Sequence, residues 1–325
     1  MGKFKAMLDN HLERMKFSSM NRAIISRLIE FSTTRTSDAG AYVELLRMEP
    51  MLATRILGVV NSSWASPVRP VTQIDRAVTM LGLAHTRALA LSFCLEHCHL
   101  NAGIDPLLSK TLWESSLLKA VAAQLLARTA RVPAAEEYFL SGLFQDLGMP
   151  LFMALDADYV KLLNYPQATV RVLLDYELEH FETTHAAVGG VIAERMGLPA
   201  RYLFDILEHH RRDTNLTQAD TPAQIWINMA AGLLPHATRR WRIADLMALE
   251  KLVTQFGGHV WPNLQAFLEQ LTVTYDELIT RLSKDPPPPL LDAELLEQLA
   301  VANRQATTEI MHQQVRDSAR SAASG

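Results

Sequence analysis

Apolar residues recur along most of this chain at three- and four-residue spacing, and alternating apolar/polar runs are scarce. This pattern predicts helix almost throughout, because positions i, i+3, i+4 and i+7 share one face of a helix. The punctuation agrees. Thr72 and Asp75 have capping-box spacing ahead of IDRAVTML, and Gly82 is placed to end that helix. Thr183 or Thr184 is expected to cap HAAVGGVIAERM, which stops at Gly197-Leu198-Pro199. Thr221 and Pro222 read as N-cap and first residue of the helix through QIWINMAAGLL, closed by Pro235. Thr274 and Glu277 repeat the capping-box spacing before LITRL. Pro286 to Pro289 cannot be helical and read as a stiff polyproline spacer. A tail helix is expected after it, fraying in SARSAASG.

Three of these helices carry chemistry-bearing residues on apolar stripes. His185 shares a stripe with Val188, Gly189, Ile192 and Met196. His210 shares one with Leu203, Ile206 and Leu207, and His209 lies beside it. Asp146 lines up with Phe139, Gly142 and Leu143. A polar group on a core-facing stripe must be hydrogen-bonded, hydrated or bound to something. Each taken alone reads as a core residue satisfied by a neighbour; three on separate helices point toward a shared pocket.

Composition narrows the classes. The chain has 325 residues, 49% hydrophobic and 20% charged, in the range of a globular protein. A net charge of −4 gives no electrostatic case for wrapping DNA or RNA. Two Cys cannot form a disulfide framework and suggest a reducing compartment. The N-terminal MGKFKAMLDNHLERMKF lacks the apolar core of a signal peptide, and no run approaches the roughly 20 apolar residues of a membrane span. The expected location is the cytoplasm. Cys94, His97 and Cys98 could suggest zinc, but there is no second Cys pair, and buried inert thiols are the preferred reading. The basic clusters EHHRR (208–212) and HATRRWR (236–242) read as solvated charge. Neither a glycine-rich phosphate loop nor a nucleophile elbow occurs.

Six segments in order then carry a family resemblance: LLRMEPMLATRILGVVNSS (45–63), IDRAVTMLGLAHTRALAL (74–91), WESSLLKAVAAQLLA (113–127), FLSGLFQDLG (139–148), YELEHFETTHAAVGGVIAERMGLP (176–199) and ILEHHR (206–211). Together they resemble the HDOD family, the signalling branch of the HD-type metal-dependent phosphohydrolases. Glu49 stands where that family usually has Asp before the Pro. The resemblance implies an all-α, two-lobed helical HDOD module with a C-terminal helical extension. The expected boundaries are a lead-in at 1–14, the HDOD domain at 15–215 (lobes 15–105 and 106–215), an extension at 216–285, the linker at 286–289 and the tail at 290–325.

The same resemblance implies where a metal site would lie. Its first His falls at Ser115, the second at Gln145 and the adjacent Asp at Asp146. Its later His positions fall at His185, His209 and His210, and its distal Asp falls at Ala231. Ser, Gln and Ala are poor replacements for imidazole and carboxylate. The site is therefore expected to be degenerate, with no catalytic residue, no cofactor and far less than one equivalent of metal. The implied role is a non-catalytic bacterial regulatory module acting through signalling proteins, without DNA binding or membrane insertion, with a homodimer as one option. The alternatives are a metal phosphohydrolase acting on a nucleotide or phosphoester, and a small-ligand receptor using the degenerate pocket. Leu295, Leu299, Ala302 and Ala306 form a weak coiled-coil seam that needs a further partner, the protein's own body or another protein; Leu295 and Leu299 are the expected interaction face of a docking arm.

Overall fold

A computed structural model describes residues 39–61, 70–83 and 104–282 apart from short gaps (134, 166–167, 196–197, 212–215, 218–220 and 237–240). It also describes scattered positions within 27–30, 86–94 and 290–301. The fold is all-α, with no strand among the described residues. The Pro286–Pro289 run lies outside them, as do His97, Cys98 and His99.

Among the described residues, the first helices with bounded ends are α1 (Ala39–Arg47), α2 (Pro50–Val60) and α3 (Ile74–Leu81). Each packs on the other two. Pro50 sits in the first turn of α2, where its missing N–H costs nothing. Asn61 follows the helix and clamps the returning chain, donating to the Val71 carbonyl at 2.8 Å and accepting from the Val71 N–H at 2.7 Å. Helix α3 ends at Gly82 with φ 77°, as its sequence predicts. Its N-cap is Gln73 rather than Thr72, and no side chain caps it.

The organising element of the remainder is α4 (Pro106–Thr129), whose first turn Asp105 caps by accepting from the N–H groups of Leu107 and Leu108. Every residue from Leu112 to Ala123 is buried. A helix covered on all sides is a core helix, and its polar members must find partners inside. Around it lie α5 (Tyr138–Leu143), α6 (Met149–Leu155), α7 (Ala157–Leu163), α8 (Val170–Phe181), α9 (His185–Arg195), α10 (Ala200–Glu208), α11 (Ala223–Gly232), α12 (Ile243–Gly257) and α13 (Leu264–Leu282). Helices α5, α11 and α13 pack directly on α4. The capping box expected at Thr274 does not form. Helix α13 runs through it, and the Thr274 hydroxyl donates to the Gln270 carbonyl one turn back.

Two glycines set how closely the site-bearing helices approach. A Cβ on Gly142 would lie 2.4 Å from the Lys119 carbonyl oxygen, so α5 meets α4 backbone to backbone. A Cβ on Gly148 would lie 2.1 Å from the His185 carbonyl oxygen and 2.7 Å from the Gly189 nitrogen. The turn carrying Asp146 is thereby pressed onto the start of α9.

The tail departs from the docking-arm expectation. Leu290, Leu295 and Leu299 are buried and belong to the same apolar core as Leu28, α4 and α13. Leu290 shares a crevice with Glu114, Leu118 and Tyr275. Leu295 and Leu299 are therefore covered by the protein's own body. Short apolar stripes gain more from an existing core than from a two-helix seam with Ala at half its positions.

Three outcomes follow for stability. Gly148→Ala should lose about 3 kcal/mol, at the upper end of overpacking costs, because the obstacle is backbone. Gly58→Ala, in α2 with nothing within 4 Å of its Cβ, should gain about 0.5–1 kcal/mol. Urea unfolding of the two variants separates these signs. By the same assay Leu295→Ala should cost about 2–4 kcal/mol, as for a buried leucine; a change below about 0.5 kcal/mol would restore the free arm.

Candidate metal centre

Four elements deliver the polar groups that meet beside α4. The turn after α5 carries Gln145 and Asp146, α9 begins with His185, the end of α10 carries His209 and His210, and the chain after α11 carries His236. Asp146, His185 and His209 are buried, and His210 is half-buried. One atom from each of Asp146, His185, His209 and His210 lies within 4.8 Å of all the others.

The hydrogen bonds behind these groups fix which atoms face inward. Glu177 of α8 is fully buried and accepts from His185 Nδ1 at 2.7 Å, from the His185 N–H at 2.7 Å and from the Tyr159 hydroxyl at 2.6 Å. His209 Nδ1 donates to the Ile206 carbonyl at 2.6 Å. With their protons on Nδ1, both rings turn a bare Nε2 inward. Those two nitrogens are 3.4 Å apart, and each is 3.8 Å from Asp146 Oδ1. His210 Nε2 lies 3.1 Å from His185 Nε2. Asp146 Oδ1 is buried without a hydrogen-bond partner.

Acceptors opposed in this way repel one another, and a proton or a metal cation between them relieves the repulsion. A tetrahedral ion with bonds of about 2.1 Å has ligand–ligand edges of about 3.4 Å. Four of the six edges, at 3.1, 3.4, 3.8 and 3.8 Å, bracket that value, and all six lie within 4.8 Å. The donor set is three imidazoles and one carboxylate, suited to a transition ion such as zinc rather than to magnesium or calcium. The Glu177–His185 contact is the carboxylate–histidine support that such ligands commonly have. Burial, reinforced by neighbouring imidazoles and Lys119, holds His209 and His210 well below the usual imidazole range, so both are kept neutral.

The other oxygen of Asp146 has a different partner. Lys119, fully buried on α4, donates to Asp146 Oδ2 at 2.6 Å and lies 2.9 Å from His236 Nδ1. Burial alone would raise the Asp146 carboxyl, but Lys119 and then His236 hold it well below the usual carboxylate range. Burial drags Lys119 downward, and the Asp146 carboxylate 2.6 Å away opposes it.

The residues the sequence proposed divide accordingly. Asp146, His185, His209 and His210 converge. Ser115 does not join them: its hydroxyl lies 2.5 Å from the His236 carbonyl and steadies that segment. Gln145 is turned toward α11 and donates to the Asn228 carbonyl at 3.0 Å. Ala231 is buried in α11 and offers no ligand. Leu295 and Leu299 lie in the core, as above. Sequence reasoning missed Lys119, Glu177 and His236. A lysine within the apolar run LLKAVAAQLLA was the available signal for the first. HATRRWR was misread as solvated, since His236 and Arg242 are both buried.

The family model of the HDOD domain matches residues 20–212. Among solved structures, an HDOD domain protein of unknown function from Geobacter sulfurreducens aligns with a TM-score of 0.62 at 22% identity, covering 80% of this chain and 89% of that one. A candidate phosphohydrolase from Shewanella amazonensis SB2B aligns with a TM-score of 0.58 at 19% identity, covering 86% and 98%. At such identities these structures share the fold. No curated protein matches.

The buried pair can be weighed by a double-mutant cycle in the presence of chelator. Asp146→Asn and Lys119→Met should each cost about 3–5 kcal/mol, because each leaves one buried charge alone. The double variant should lose at least about 2 kcal/mol less than the sum of the two. Additive losses in urea unfolding would mean that the two groups do not act as a pair.

Proposed function

The chain belongs to the HDOD family, and on that premise we propose that it is a non-catalytic regulatory module whose metal-type site holds one divalent transition ion. The ligands are Asp146 Oδ1 and the Nε2 atoms of His185, His209 and His210. The observation that carries this reading is the facing of bare nitrogens and an unpartnered carboxylate oxygen in a buried site. The expectation of a metal-free protein counted Ser115, Gln145 and Ala231 as losses; adjacent His209 and His210, both turned inward, make up a full tetrahedral set without them.

Four protein ligands favour structure over catalysis. Catalytic zinc-type sites keep a position for water, whereas structural ones are closed. A closed site joins α9, the end of α10 and the turn after α5, and makes their packing depend on the ion. Output then passes to partner proteins through the surface these helices support, in keeping with the signalling role that the family resemblance implied. A second reading has its own observation. His209 and His210 also line a cavity of about 280 Å3 whose other walls include Met229, Leu233, Arg211 and Lys251. Its apolar walls and two cations suit a small anionic ligand.

Cobalt titration of the chelator-treated protein tests the metal. One equivalent should bind and give the strong visible absorption of four-coordinate cobalt, and Asp146→Ala and His185→Ala should each abolish it. Phosphomonoesters and phosphodiesters should not be turned over. Turnover that disappears in His185→Ala would replace the regulatory reading with phosphohydrolase activity. A thermal-shift series with nucleotides addresses the cavity: a rise of several degrees, lost in Lys251→Glu, would favour the receptor.

A further inference from the structure

We propose that Lys119 is a tethered cation occupying a second cation position beside Asp146, so that this chain holds one metal ion where its carboxylate could bridge two. The inference rests on the reading that Asp146 Oδ1 takes an ion, and goes beyond it to the opposite face of the same carboxylate.

The atoms around the lysine form a ligand set. Asp146 Oδ2 lies 2.6 Å from Lys119 Nζ, His236 Nδ1 lies 2.9 Å from it, and the two acceptors are 3.1 Å from one another. An ammonium has donors only, so the His236 tautomer that completes this ligand set meets it with the Nδ1 lone pair and gives up the hydrogen bond that the other tautomer donates to Asp146 Oδ2. That leaves the proton on His236 Nε2, which is buried and unpartnered. A carboxylate oxygen and an imidazole nitrogen thus converge on one positive charge with the spacing of a coordination edge. In two-metal sites the ions lie about 3.5–4 Å apart, clamped by shared ligands. Asp146 is disposed for that geometry, with Oδ1 toward His185 and His209 and Oδ2 toward Nζ.

Local packing keeps the lysine there. Lys119 is on the fully buried stretch of α4, and Gly142 lets α5 close over its backbone. The Ser115 hydroxyl, one turn earlier on α4, meets the His236 carbonyl and holds the imidazole over the ammonium. A single charge on a carbon chain neutralises the carboxylate as a metal would. It carries no water and offers no Lewis acidity, so a bridging hydroxide has no second ion to hold it.

The test counts metal. Wild type, Lys119→Ala and Lys119→Ser are loaded with excess manganese or zinc and desalted, and metal per folded chain is measured by mass spectrometry, with folding checked by circular dichroism. Wild type should hold one equivalent and both variants two. The extra equivalent should vanish in Lys119→Ala/His236→Ala, and propylammonium should displace it from Lys119→Ala. A purely structural lysine would change none of these counts. Folded variants that stay at one equivalent overturn the tethered-cation proposal while leaving the one-metal reading intact. A wild type that takes two equivalents with Lys119 in place also overturns it, whether or not the variants fold. No metal in any of the three proteins sinks both.

Discussion

The two oxygens of the Asp146 carboxylate have opposite neighbours, and the rest of the site is arranged around that division. One oxygen is bound by Lys119; the other has no hydrogen-bond partner and faces the Nε2 atoms of His185 and His209 at 3.8 Å. Neither half is stable alone. A buried charge without a partner costs several kcal/mol, and crowded lone pairs gain nothing from proximity. With a lysine on one side and a transition ion on the other, every acceptor in the centre has a positive charge to face.

That requirement reaches outward through the fold. Glu177 fixes the His185 tautomer and also accepts from Tyr159, so α8 and α7 are tied to the centre. Gln145 and Asn228 connect the Asp146 turn to α11, and Asn228 continues to the buried Asp205 carboxyl on α10. Burial raises the Asp205 carboxyl, against the hydrogen bonds from Ser141, Gln224 and Asn228. These bonds let a polar centre exist inside an apolar core. On the proposed one-ion reading, a change in ion content would reach α7, α8, α10 and α11 through these bonds.

Helix periodicity and its punctuation made the all-α class readable, and ordered segments made the family readable. Both are local signals. The fate of single polar residues was less readable because it depends on which helices meet. His209 and His210 could be counted from the sequence, but not that the end of α10 turns both inward. Ser115 and Gln145 take carbonyl partners, at His236 and Asn228, while four other side chains converge without them. Lys119 and His236, remote in sequence, form a pair only because α11 returns across α4. The tail was misread for a related reason. A weak apolar stripe has no preferred partner in the sequence, and here the core supplies one for Leu295 and Leu299.

X-ray absorption on the metal-loaded wild-type protein addresses the one-ion centre most directly. The predicted spectrum has four light scatterers at about 2.0–2.1 Å, with the multiple-scattering pattern of three imidazoles and no metal neighbour. A metal–metal vector at about 3.5–4 Å, or a five- to six-coordinate shell rich in oxygen, would contradict a closed one-ion site and point to a hydrolytic centre.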